Sequence, residues 1–183
     1  ENSLHDLTNE LADRFADATI RPVIGDVTDL QRVDQVMARY HPHVVFLAAA
    51  HKHVPLMEHH PCEAVKNNVI GTLTVAQAAD RWQVERFILI STDKAVNPSS
   101  VMGATKRIGE SILRMMSTRS ATRFAVVRFG NVLGSNGSVL LRFLAQIRAG
   151  GPVTVTHLEM RRPFMPTTEA APLVPHAAAQ SAM

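Results

Sequence analysis

Phe87-Ile88-Leu89-Ile90-Ser91-Thr92-Asp93-Lys94-Ala95-Val96-Asn97-Pro98-Ser99-Ser100-Val101-Met102-Gly103-Ala104-Thr105-Lys106 decides how this chain is read. An apolar run that breaks into polar residues predicts a buried strand from Phe87 to Ile90, ending at Ser91. Beyond it Ile108, Ile112, Met115 and Met116 recur at helical spacing, so a helix carries Lys106. Ser91 to Lys94 therefore stand at the carboxyl end of a strand, where open α/β sheets bind their ligands. Met102 and Lys106, four residues apart, share one face of that helix. A hydroxyl, a carboxylate and two ammonium groups converge on one strand end.

The flanking chain alternates strands and helices. A leading helix carries Leu4, Leu7, Leu11 and Phe15 behind Ser3 as its cap. Arg21 to Ile24 predicts a short strand ending in Gly25-Asp26-Val27, followed by a helix capped by Thr28 or Asp29. Val44 to Ala50 is continuously apolar, as in a strand covered on both faces. After the polar loop His51 to His60, Pro61 opens a helix that runs to about Trp82. A strand at Phe124 to Val127, a helix over Val139 to Ile147 closed by Gly150-Gly151, and a strand at Val153 to Thr156 complete the pattern. Such alternation predicts an α/β fold, a doubly wound parallel sheet. Pro172 and Pro175 are each expected to break a helix, so residues 166–183 read as a poorly ordered Ala/Pro-rich tail.

At 183 residues and 46% hydrophobic content the chain can bury a core, and its net charge of +3 comes without a basic block, which argues against nucleic acid. The single cysteine, Cys62, excludes an internal disulfide and fits a reducing compartment. No apolar run approaches the roughly 18 residues of a membrane span. His51, His53, His59 and His60 lack the carboxylate or thiolate partners of a compact metal site, so no metal is expected. Asn67 and Asn68 sit within a helix, where asparagine is unfavourable, and at least one is expected to bond a neighbouring loop. No glycine-rich G-x-G-x-x-G turn is present; Gly130, Gly134 and Gly137 do not match it.

Gly25-Asp26-Val27, Ala48 to Glu58, Asn67 to Thr72, Ser91 to Lys106, Arg128 to Ser135 and Gly151 to His157 together resemble a family. They are similar to the UDP-N-acetylglucosamine 4,6-dehydratases of capsule and polysaccharide biosynthesis, within the extended short-chain dehydrogenase/reductases. The resemblance covers the chain from Glu1 to about Met165. It implies a Rossmann-like sheet truncated at both ends, with residues 1–165 a partial NAD(P)-binding domain and the start of a substrate-binding region. On this reading Val23 lies on strand three and Phe46 on strand four of the 3-2-1-4-5-6 order, which leaves a gap of about 9–10 Å between them. It further implies NAD or NADP as cofactor, a UDP-sugar substrate, a homo-oligomer, and a cytoplasmic location, at the inner membrane's cytoplasmic face in the full-length protein.

The family's reaction oxidises the sugar C4 hydroxyl, removes the C5 proton, expels the C6 hydroxyl as water and returns the hydride to C6. One site must then hold an acid, a base and the nicotinamide together. By resemblance Thr92 contacts the C4 hydroxyl, Asp93 is the acid at C6, and Lys94 is the base at C5. For that role Lys94 must be partly neutral, through burial or the nearby Lys106. Lys106 matches the lysine that holds the nicotinamide ribose. Ser91, Ala48, Ala49, Ala50, Asn68, Asp26 and Val27 fall at cofactor-binding positions, with Asp26 an adenine contact or alternatively a helix cap. Lys52, His53, Asn131 and Arg162 fall at substrate-binding positions, and Arg128 lies beside Asn131 on the same strand end. Met102 occupies the place where short-chain dehydrogenases carry tyrosine; a thioether cannot take up that proton, so another group must. A non-catalytic nucleotide-sugar-binding module and a nucleotide-sugar 4-epimerase are the alternatives.

Overall fold

The computed structural model describes residues 2–133, 139–155, 157, 159, 161 and 163–180. Arg162 lies outside the described residues, as do Gly134, Ser135, Gly137, Thr156 and Met160. The chain opens with α1 (Asn2–Arg14) and α2 (Leu30–Tyr40), the latter capped by Asp29, whose carboxylate accepts the Arg32 N–H at 2.9 Å. Next come β1 (Val44–Leu47), the short α3 (Val54–His59), α4 (Pro61–Ala64), a π-helical turn (Val65–Ile70) and α5 (Gly71–Arg81). β2 (Arg86–Thr92) passes through a tight turn, Asp93–Ala95, into α6 (Val101–Ser117). Then follow β3 (Arg123–Phe129), β4 (Asn131–Val132), α7 (Val139–Arg148), β5 (Phe164–Met165) and α8 (Thr167–Gln180).

The three main strands form a parallel sheet in the order β1-β2-β3, with Val44 opposite Arg86 and Arg86 opposite Arg123. β2 is central and its Phe87, Ile88 and Leu89 are wholly buried, which is why that segment is apolar without alternation. Phe87 and Leu89 pack with Met37, Val75, Leu113 and Met116 beneath the alanines of α5, whose small side chains let helix and sheet approach closely. Ile88 points the other way by strand alternation, and α8 packs against β2 and β3.

Three expectations are corrected. Arg21 to Ile24 forms no strand: its backbone finds no ladder partner among the described residues, and the Ile24 carbonyl is taken by the Arg32 side chain at 2.9 Å. Val153 to Val155 forms none either, because Gln146 folds back to bond Thr154 at both backbone N–H (3.1 Å) and hydroxyl (2.8 Å). Pro172 and Pro175, expected to break a helix within a poorly ordered tail, lie inside α8. Each removes one N–H donor, but Ala170 and Ala178 are buried, and that packing overrides local propensity.

Candidate active site

The carboxyl end of β2 emerges between the ends of β1 and β3 and turns at once through Asp93–Ala95. Thr92 caps the turn, accepting the Lys94 N–H at 3.4 Å. Its hydroxyl also donates to Asp93 Oδ1 at 2.9 Å, and Lys94 Nζ donates to the same oxygen at 2.9 Å. Lys94 Nζ reaches Asn131 Oδ1 at 3.4 Å, and Asn131 donates onward to the Pro163 carbonyl at 3.3 Å. Thr92, Asp93, Lys94 and Asn131 are thus one connected polar chain. Partial burial pushes the Asp93 carboxyl up, but hydrogen bonds from Lys94 and Thr92 and the Lys94 charge outweigh it and hold it below the usual carboxylate range.

Lys106 approaches from α6. It is 7% exposed and donates to the Ile90 carbonyl at 2.5 Å. Burial lowers its pKa to about 8, offset in part by the Glu110 carboxylate one turn along α6. Desolvation thus disfavours the charged form of Lys106.

Ser91, expected at the cofactor, donates its hydroxyl to Glu110 Oε1 at 2.6 Å. Arg128, at the same sheet level as Ser91, places Nε on Glu110 Oε1 at 2.8 Å and Nη2 on Oε2, so its guanidinium clamps α6. Glu110 was not singled out from the sequence. Its signal is its spacing of four from Lys106, which puts an acid and a base on one helix face.

Asn68 is buried in the π-helical turn and its amide is fully used. Oδ1 accepts the His51 N–H at 2.8 Å; Nδ2 donates to the His51 carbonyl and to Thr105 Oγ1, both at 3.0 Å. The expected bond from an asparagine to a neighbouring loop is made, and it fixes the chain where β1 opens into Ala48, Ala49 and Ala50. Those alanines leave a bare backbone at the strand end, with Ala48 and Ala49 exposed. Asp26 is exposed and closes its own turn on the Thr28 N–H (2.8 Å) and hydroxyl (2.7 Å), bonds that lower its pKa; the cap of α2 is Asp29. Val27 is wedged against α5 so closely that a Cβ on Gly71 would stand 2.8 Å from its Cγ2. Lys52 and His53 are exposed, and His53 is the N-cap residue of α3. Met102 is 4% exposed, in a cluster with Met57 and Ala64. Among the described residues no group of metal-ligating side chains comes together, and no helix is long and apolar enough to cross a membrane.

The chain as a whole is similar to several known proteins. EpsC of Bacillus subtilis, a probable polysaccharide biosynthesis protein, is 56% identical over 98% of this chain and 30% of its own length. The capsular polysaccharide biosynthesis protein CapD of Staphylococcus aureus is 52% identical over 98% of this chain and 30% of its own. A UDP-glucose 4-epimerase of Rickettsia rickettsii is 39% identical over 84% of this chain and 46% of its own. Among solved structures, Pen from Bacillus thuringiensis superposes with a TM-score of 0.88 at 36% identity, covering 96% of this chain and 55% of that one. The dTDP-glucose 4,6-dehydratase DesIV of Streptomyces venezuelae, at 20% identity, shares the fold with a TM-score of 0.83, covering 95% of this chain and 58% of that one. The Rossmann-like α/β fold with a parallel sheet is thereby shown, and the chain spans about 30% of the length of EpsC and CapD. The family model for polysaccharide biosynthesis proteins matches residues 1–183 throughout, and this chain belongs to that family.

Proposed function

We propose that this chain carries the acid–base half of a nucleotide-sugar 4,6-dehydratase that converts UDP-N-acetylglucosamine to its 4-keto-6-deoxy product with NAD or NADP. The observation that supports it best is the 2.9 Å bond between Lys94 Nζ and Asp93 Oδ1 at the end of β2. An elimination across C5 and C6 needs a base and an acid within reach of adjacent carbons, and this pair supplies both. At rest Lys94 donates to an ionised Asp93. The reaction uses the opposite states, a neutral amine and a protonated carboxyl, so bound substrate must supply the shift that the resting pair opposes. Lys94 then takes the C5 proton while Asp93 gives its proton to the departing C6 oxygen, which leaves as water. Thr92, bonded to Asp93, stands beside them for the C4 hydroxyl.

The residues present fit the nicotinamide half of the cofactor: a buried cation at Lys106 and an uncovered strand end at Ala48 to Ala50. A bound NAD(P)+ would supply the hydride acceptor for C4 and the hydride donor for C6. Lys106 orients the ribose, Asn68 fixes the neighbouring loop, and Glu110 holds Ser91 and α6 in register. Lys52, His53, Asn131 and Arg162 are the residues assigned to the nucleotide sugar.

A UDP-sugar 4-epimerase is the second reading, favoured by the 39% identity to the rickettsial enzyme. Epimerisation moves no proton at C5 and loses no water. Incubating the intact protein with UDP-N-acetylglucosamine and NAD+ separates the two: a 4-keto-6-deoxy product supports the dehydratase, while the C4 epimer alone overturns it.

A further inference from the structure

We infer that Met102 is a positioning residue, the apolar key that seats α3, and with it Lys52 and His53, on the first turns of α6. The inference goes beyond the dehydratase reading and rests on it only for the kinetic half of its test.

The segment from His51 to His59 is held at both ends by α6 or by a residue bonded to α6. At its start, His51 is gripped on N–H and carbonyl by Asn68, which also bonds Thr105 Oγ1 at 3.0 Å; Thr105 in turn donates to the Met102 carbonyl at 2.8 Å. At its end, the Glu58 carboxylate accepts the Val101 N–H at 2.8 Å, capping α6 from the side. Between these polar ties lies one dry contact: Met102 and Met57 are 4% and 7% exposed and pack with Ala64, Val54 and Val101. Glu58 is exposed and competes with water for its bond. The buried cluster is therefore the part of the seat that excludes water, and Met102 is its contribution from α6.

This explains a thioether where a proton-transfer group is expected. A methionine has no proton to give, but it is unbranched and fills an irregular gap between two short elements. Lys106, one turn along, faces the β2 strand end. Position 102 serves the α3 segment and position 106 serves the strand end, so the two residues divide the helix face between them. Lys52 and His53 are exposed at the start of the segment, and their placement depends on how α3 is seated.

The test uses the intact protein. Met102→Ala should speed backbone hydrogen exchange across residues 51–60 by about ten-fold or more. It should raise KM for UDP-N-acetylglucosamine about five-fold or more, with kcat within about two-fold. Met102→Leu, of similar volume, should restore both. Met57→Ala should reproduce the alanine effect from the other side, and combining the two should add little beyond either. Unchanged exchange in Met102→Ala, a fall in kcat at constant KM, or a gain in kcat in Met102→Tyr would each overturn the inference. A protein that does not turn over this sugar would refute the dehydratase reading alone, since exchange and the Met57 coupling still decide the seat. If Met102→Ala does not fold, Met57→Ala carries the same readouts.

Discussion

Gly103 lies against the carbonyl of Lys94: a Cβ at position 103 would stand 2.3 Å from that oxygen and 3.2 Å from Pro98 Cβ. The obstacle is backbone, so it cannot rotate aside. Gly103→Ala should push the Asp93–Ala95 turn off α6, at a stability cost of about 1–3 kcal/mol. Displacement by a fraction of an ångström is enough to spoil acid–base geometry, so kcat should fall about 10–100-fold with KM changing less. Steady-state kinetics beside a thermal melt checks this, and full activity would mean the turn tolerates the shift.

Lys94→Ala in the intact protein should abolish dehydration while nucleotide-sugar binding stays within about a few-fold, because the base acts only after C4 oxidation. Asp93→Asn should still permit that oxidation and accumulate reduced cofactor, visible by absorbance. If Asp93→Asn dehydrates normally and accumulates nothing, Asp93 is only a link in the turn.

Lys106 sets a pH dependence whose sign follows from its depressed pKa. The unfolded chain keeps this proton to about 10.5 and the folded chain only to about 8, a difference on the order of 3 kcal/mol. Below pH 8 the folded protein bears the cost of a buried ammonium, and raising pH through that window removes it. Lys106→Met should therefore raise the melting temperature at pH 7, with the advantage shrinking by pH 9.5, while turnover is lost. A variant less stable at pH 7 would show that the bond to Ile90 outweighs desolvation.

Glu110→Gln keeps the shape and removes the charge that Arg128 and Ser91 share. Burial raises the Glu110 pKa, but the Arg128 and Ser91 hydrogen bonds outweigh it, so the folded value lies below 4.5. Its stabilisation is present at neutral pH and lost as pH falls through that lowered value. The variant should be less stable by about 1–3 kcal/mol at pH 7, since Arg128 is partly solvated, and the difference should close in acid. Denaturant melts at pH 7 and pH 3.5 test this; an equal gap at both would place the effect in packing.

The strand–turn–helix around Ser91 was legible because both periods are clean: an unbroken apolar run, then apolar residues three and four apart. Thr92, Asp93, Lys94 and Asn131 do come together, as the end of a parallel strand requires. The roles of Ser91 and Arg128 were less legible. Their polar ends reach the strand tip by type and position, yet both turn to Glu110, a choice made by tertiary distance. Val153 to Val155 misled for a related reason: β propensity there meets no partner strand among the described residues, and the Gln146 side chain bonds Thr154 instead. The prolines of α8 misled in the opposite direction, since burial of Ala170 and Ala178 is invisible to a local rule.

The helical run from Pro61 to Arg81 widens over Val65–Ile70, where the Gly71 N–H reaches back five residues to the Lys66 carbonyl. A wide turn is an α-helix holding one residue too many, so this stretch reads length as well as identity. Any conservative point change within it keeps the count. Deleting a single residue between 65 and 70 would let the run close to its ordinary pitch while the helix on either side keeps its facing, so the loss falls on the wide turn itself. Ala64 would keep its place beside Met57, while Asn68, inside the turn, would lose either His51 or Thr105. The same deletion in Gly71–Arg81, where no spare residue stands, would instead swing the amino-terminal side by about 100°.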